Sequence, residues 1–225
     1  MKLSRALTET LGVFRPSFMR SLMSGDPADV LRWVRKGRPA PPPPSIKLRV
    51  LRCYREAFLP PIFIETGTYR GDTVYALRDE FLKLFTIELS HELFTQAARR
   101  LKDASNITAL EGNSGTVLET MLKDISRPCL FWLDGHYSGG ITARGVSDCP
   151  LREELEHILR HPVKQHVILM DDARLFGRLR DYPTVEELVQ RGSSAGYDSE
   201  LHYDMLCLTP DGAPKMAERL KRCIG

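Results

Sequence analysis

Phe63-Ile64-Glu65-Thr66-Gly67-Thr68-Tyr69-Arg70-Gly71 is an apolar run that ends on a carboxylate and passes through glycines into an amphipathic stretch. A buried strand, a tight turn and a helix in that order build a cradle for a nucleotide. The pattern recurs twice. Leu130-Phe131-Trp132-Leu133 ends on Asp134, and Val167-Ile168-Leu169-Met170 ends on Asp171-Asp172. In open α/β sheets ligands bind outside the carboxyl ends of the strands, so acids delivered to one rim predict a cofactor pocket beside a metal site.

Working outward, strands are expected at 62–65, 83–88, 107–110, 129–134 and 166–171. Between them Leu93, Phe94, Ala97, Ala98 and Leu101 form one helical stripe, Val117, Leu118, Met121, Leu122 and Ile125 a second, and Leu151, Leu155, Ile158 and Leu159 a third. Successive βα units require right-handed crossovers and a parallel sheet. Tyr197–Tyr203 and Asp204–Leu208 leave no room for a helix between them and read as an antiparallel hairpin. The expected fold is a Rossmann-like α/β domain over residues 61–225. Its sheet is seven-stranded and mostly parallel, with the C-terminal hairpin at its edge and helices on both faces.

Residues 1–60 read as a basic helical arm, a lid or an oligomerisation element. Leu3, Leu7, Leu11, Phe14, Phe18 and Leu22 have helical spacing, a short helix is expected at Pro27–Lys36, and the tract Pro39 to Pro44 suits a stiff polyproline II spacer. The arm carries twelve Lys/Arg against Glu9, Asp26, Asp29 and Glu56, a charge of +8, which leaves −5 of the net +3 for the rest. Such a balance suits docking on an acidic protein surface, a homo-oligomer contact included, or contact with nucleic acid or an anionic membrane. No apolar run approaches the ~20 residues of a membrane span and no secretory h-region opens the chain. The five cysteines are odd in number and form no C-x-x-C pair. Buried, reduced thiols in a cytoplasmic protein are expected.

The turn after the first strand lacks the G-x-G-x-x-G of a dinucleotide-binding dehydrogenase. Glu65-x-Gly67, the acid Glu88 closing Phe85-Thr86-Ile87-Glu88, and Gly112-Asn113-Ser114 after the third strand instead resemble the class I S-adenosylmethionine (SAM)-dependent methyltransferases. The resemblance implies that Glu65, Gly67, Thr68 and Gly71 surround the methionine moiety, with Gly67 allowing close backbone approach and N–H groups near Gly71 facing its carboxylate. It implies that Glu88 accepts the ribose hydroxyls, that Asn113 or Ser114 meets the adenine edge, and that Asp134 borders the cofactor.

Glu65-Thr66-Gly67-x-x-Arg70-Gly71, Asp134-Gly135-His136-Tyr137 and Met170-Asp171-Asp172 are closer still to the macrocin-type sugar O-methyltransferases, over about residues 60–210. The family carries an E-T-G-x-x-R-G turn, a D-G-D-x-Y element and a terminal D-D pair that holds Mg²⁺. His136 stands where the family has its second acid, and Ser138–Pro150 is an extended loop. The resemblance implies Mg²⁺, or Ca²⁺, on Asp134, Asp171 and Asp172, lowering the pKa of an acceptor hydroxyl. His136 is then the expected general base, since imidazole titrates near ~6.5. Tyr137, Arg144 in the glycine-rich loop, and Arg174 are expected to meet the acceptor. Trp132 is read as core, and His161, His166 and His202 as having no nameable partner.

The leading expectation is therefore a SAM-dependent, Mg²⁺-assisted O-methyltransferase of a small hydroxylated molecule in natural-product biosynthesis, a sugar or glycoside. Base methylation of nucleic acid is disfavoured because Asp134-Gly135-His136-Tyr137 replaces the [DN]-P-P-[YFW] element. A non-catalytic nucleotide-binding or assembly protein on the same fold and an NAD-dependent oxidoreductase are the alternatives.

Overall fold

The computed structural model describes residues 27–135, 149–179 and 181–224. Helices α1 (Pro27–Arg35) and α2 (Pro44–Phe58) precede a βα alternation: β1 (Ile62–Thr66), α3 (Asp72–Ala76), β2 (Lys83–Glu88), α4 (His91–Leu101), β3 (Ile107–Glu111), α5 (Ser114–Met121), β4 (Cys129–Leu133), α6 (Leu151–Arg160) and β5 (Val167–Met170). Helix α7 (Val185–Ser194), the hairpin β6 (Tyr197–His202) and β7 (Met205–Pro210), and α8 (Ala217–Ile224) complete it.

The seven strands run in the order β3-β2-β1-β4-β5-β7-β6. Strands β1 to β5 pair in parallel, and β7 is antiparallel to both β5 and β6. The chain builds outward from β1 to β3, then returns to place β4 on the other side of β1. That reversal opens a crevice at the carboxyl ends of β1 and β4, where neighbouring connections diverge.

Side-chain alternation divides the core by face. Phe63, Leu84, Leu130, Trp132, Val167 and Leu169 join one buried cluster with residues of α1, α2, α4 and α8. Ile62, Ile64, Phe131, Leu133, Ile168 and Met170 join the other with α5, α6 and α7. Because strand side chains repeat with period two, Glu65 follows Phe63, Asp134 follows Trp132 and Asp171 follows Leu169. All three acids are thus directed to the α2 side of the sheet.

Residues 27–58, read from the sequence as part of an arm, supply Val30, Trp33, Ile46, Leu48, Val50, Leu51, Cys53 and Tyr54 to the first cluster. The proline tract leads directly into α2. Pro43 is extended at φ −65° and ψ 155°, and Pro44 opens the helix, where a missing N–H costs nothing and a fixed φ is already helical. Leu59 closes it in the left-handed region, its N–H bonded to Arg55 O at 2.8 Å. The Cys53 and Cys223 thiols meet between α2 and α8, and all five cysteines are free. The segment 1–26 lies outside the described residues.

Three hairpin boundaries differ from expectation, the last strand running on to Pro210 rather than Leu208. β6 ends at His202 and β7 begins at Met205, paired across a two-residue turn. Tyr203 and Asp204 take positive φ, 49° and 68°, the backbone a tight hairpin turn demands. Among the described residues no helix is long and apolar enough to cross a membrane.

Candidate active site

At the end of β1 the backbone turns through Gly67 at φ 81°, where a Cβ would lie 2.4 Å from the Asp134 carbonyl oxygen. The approach of the β4 end by itself requires glycine at this position. Gly67 N–H donates to Ile87 O at 2.9 Å, which also ties the turn to β2. Gly71, at φ 71°, opens α3, but its own N–H is spent on Thr68 O at 2.8 Å. Arg100 bonds both the Arg70 carbonyl, at 2.9 Å, and the Asp72 carboxylate, fixing the outer side of the turn.

Between this turn and α2 lies a cavity of about 240 Å³ lined by Glu65, Gly67, Thr68, Trp132, Asp134, Lys47 and Leu48 among others. Glu65 is almost fully buried in it. Thr86 donates to Glu65 Oε2 at 2.7 Å, and the Thr68 hydroxyl lies 2.6 Å from that of Thr86. Burial pushes the Glu65 carboxyl up to about 8, opposed by its threonine hydrogen bonds and aided by Asp134. Trp132 is core as expected, and it also lines the cavity.

Glu88 ends β2 as a brace for two loops. Its oxygens accept from Tyr69 N at 2.8 Å and Ser90 N at 2.9 Å. Each carboxylate oxygen has a second lone pair, so ribose hydroxyls remain compatible with both bonds. Gly112 N–H donates to Glu88 O at 2.9 Å, bringing the β3 loop alongside. Asn113 caps α5, its Oδ1 accepting from Thr116 N at 3.4 Å, and Ser114 is buried in the first turn. The Asn113 amide group is not consumed by the cap.

Asp134, Asp171 and Asp172 offer ligand atoms that all lie within 4.8 Å of one another. Asp172 adopts a left-handed backbone, φ 57°, which turns its carboxylate back toward its neighbour. Arg174, expected at the acceptor, bonds Asp172 Oδ1 at 2.5 Å and the Asp204 carboxylate, while its backbone N–H donates to Asp204 Oδ1 at 2.7 Å. The β6–β7 turn thereby orients Asp172. Asp204 is half of that arrangement, and no sequence signal had marked it.

The larger omission from the sequence reading is Lys47 on α2. Its ammonium bonds Asp171 Oδ2 and lies 3.8 Å from Asp172 Oδ1. Burial works against its charge, but Asp171, Asp134 and Asp172 outweigh burial and raise its pKa, so it is held protonated. Asp171 Oδ1 is buried and has no hydrogen-bond partner among the described residues. An orphaned carboxylate oxygen facing two further acids is a hard-oxygen donor set that fits Mg²⁺ or Ca²⁺.

His136, Tyr137 and Arg144 lie outside the described residues. Of the three histidines read as having no nameable partner, His202 lies 3.4 Å from Glu200 Oε1, and His161 and His166 are hydrogen-bonded. His166 Nδ1 accepts from Cys129 N at 3.1 Å, its Nε2 meets His161 Nδ1 at 2.9 Å, and His161 Nε2 lies 3.0 Å from Leu122 O. With Nδ1 of His166 an acceptor, the chain is satisfied by two neutral rings each protonated at Nε2. It joins the amino ends of β4 and β5, away from the rim.

No protein-family model matches the chain, and no curated protein is significantly similar to it in sequence. Solved structures are similar in fold. The O-methyltransferase TomG of Streptomyces achromogenes, involved in tomaymycin synthesis and solved with SAM, has TM-score 0.56 at 16% identity, covering 92% of this chain and 95% of its own. An O-methyltransferase from Bacillus cereus in complex with S-adenosylhomocysteine (SAH) has TM-score 0.55 at 12% identity over 88% and 93% of the two chains. The SAH-bound methyltransferase PaMTH1 of Podospora anserina has TM-score 0.52 at 13% identity over 87% and 93%. With its seven-stranded mixed sheet and these likenesses, the chain has the class I, Rossmann-like fold of the SAM-dependent methyltransferases.

Proposed function

We propose that this chain is a SAM-dependent O-methyltransferase that uses a divalent cation and acts on a small hydroxylated acceptor, a sugar or natural-product glycoside. The observation that carries the reading is the convergence of Glu65, Asp134 and Asp171 on one face of the sheet, where a cavity and a three-carboxylate cluster adjoin. The cofactor's methionine end would occupy the cavity beside Glu65, its ribose would meet Glu88, and its adenine would lie near Asn113 and Ser114.

Asp134, Asp171 and Asp172 would hold Mg²⁺, which when bound lowers the pKa of an acceptor hydroxyl. Arg174 and Asp204 keep Asp172 aimed at the site, and α2 forms one wall of the cavity. His136, two residues beyond Asp134, is the proposed base that removes the hydroxyl proton, with Tyr137 and Arg144 at the acceptor. Solved relatives of this fold that hold SAM or SAH support the cofactor; the acid set supports the metal.

The test is transfer of labelled methyl from SAM to a panel of sugars and glycosides, read by mass spectrometry with and without chelator. Products dependent on added Mg²⁺ are expected. Transfer undiminished in excess chelator would remove the metal from the mechanism, and SAH binding with transfer to no hydroxyl acceptor would favour the non-catalytic alternative.

A further inference from the structure

The carboxylate cluster already has a cation, and it is covalently part of the chain. Lys47 reaches it from α2, with its ammonium on Asp171 and 3.8 Å from Asp172 Oδ1. We propose that Lys47 is a tethered counter-cation of this site: its ammonium occupies the three carboxylates in the absence of a divalent ion and is displaced when one binds. The inference rests on the reading that these acids hold a divalent cation.

One observation separates this arrangement from an ordinary buried ion pair. Asp171 has a fully buried side chain, yet only Oδ2 is taken by Lys47, while the buried Oδ1 has no hydrogen-bond partner among the described residues. A carboxylate matched only to lysine would leave no such oxygen, because an unsatisfied buried acceptor is costly.

Lysine and metal cannot share the site as it stands. Octahedral Mg²⁺ binds oxygen at about 2.0–2.1 Å, so carboxylates whose ligand atoms are up to 4.8 Å apart must draw in around it. The ammonium lies against two of those carboxylates and would be repelled at close range by the incoming ion. A place to go is at hand. The Lys47 Nζ is 6.0 Å from the centroid of the Trp132 ring, whose face attracts a cation, and both residues line the cofactor cavity. The rest of α2 is anchored by its buried face and by Arg52, which bonds Glu80 at 2.7 Å. The shift is thus confined to the lysine side chain, at the boundary between cation site and cofactor cavity.

The experiment titrates Mn²⁺, a hard stand-in for Mg²⁺, into the full chain and into Lys47→Met and Lys47→Arg, with free Mn²⁺ read by electron paramagnetic resonance. Lys47→Met should bind at least about tenfold more tightly, since the ion no longer breaks a charged hydrogen bond, and Lys47→Arg should stay near wild type. Independently of any variant's folding, acetic anhydride labelling of wild-type Lys47, followed by mass spectrometry, should rise when Mn²⁺ saturates the protein. Equal or weaker binding by Lys47→Met, or labelling unaffected by bound Mn²⁺, overturns the proposal while leaving the metal site in place. Absence of Mn²⁺ binding in all three overturns both together, and SAH calorimetry on the same samples then shows whether the methyltransferase reading stands.

Discussion

Glu65 offers the sharpest quantitative consequence. Its carboxyl, buried beside the cavity, is pushed up to about 8, so at pH 7 only about one molecule in ten carries it ionised. The cofactor's cationic ammonium, seated in that cavity, would select the ionised form. Binding should then release close to one proton per site below pH 8, and affinity should rise about tenfold per pH unit before levelling off. At pH 7 this leaves affinity about 1.4 kcal/mol short of its plateau. The free protein shows the opposite sign. A raised carboxyl pKa contributes stability fully below the unfolded value and loses it as pH rises through about 8. The assay is SAH calorimetry between pH 6 and pH 9 in two buffers of different ionisation enthalpy, with Glu65→Gln as the control that subtracts the ligand's own titration. Proton release unchanged in Glu65→Gln would refute the placement of the ligand's charge beside Glu65.

Further outcomes follow from single contacts. Gly67→Ala combines ~1–2 kcal/mol of left-handed strain with ~1–3 kcal/mol of overpacking against the Asp134 carbonyl, so denaturant unfolding should show a loss of about 2–5 kcal/mol; a loss below about 1 would contradict the close approach. His166 is held neutral by burial, its pKa lowered to about 3. Stability should therefore fall on acidification from about 6.5 toward 3, by about 2 kcal/mol between pH 6.5 and pH 4.5, and His166→Asn should lack that component in urea titrations. Glu88→Ala should weaken SAH binding by about 1.5–3 kcal/mol, and equal affinity would remove Glu88 from the ribose site.

The rim was legible because strand periodicity is strict. Phe63 and Glu65, Trp132 and Asp134, and Leu169 and Asp171 are each two residues apart, so the buried aromatic or leucine fixes the face of the acid that follows it. Helix α2 was not read. Ile46, Val50, Cys53 and Tyr54 carry a helical stripe, but Lys47, Arg49, Arg52 and Arg55 between them gave the segment the composition of a solvated arm. Lys47 meets Asp171 across 124 residues of sequence, and no local pattern encodes a pairing at that distance. The pairing of Arg174 with Asp204 was not legible, because Asp204 reaches it only once the hairpin has turned at Tyr203 and Asp204. The Gly67 turn was found for a reason that sequence cannot separate from its neighbour: both a ligand and a second strand end require glycine there.

The most direct measurement is a crystal structure of the chain grown with SAH and Mn²⁺. The account predicts the homocysteine end in the cavity beneath α2 beside Glu65, the ribose on Glu88, and a single anomalous peak among Asp134, Asp171 and Asp172 with the Lys47 ammonium moved off Asp171. SAH elsewhere on the molecule, with that cavity filled only by water, would contradict it.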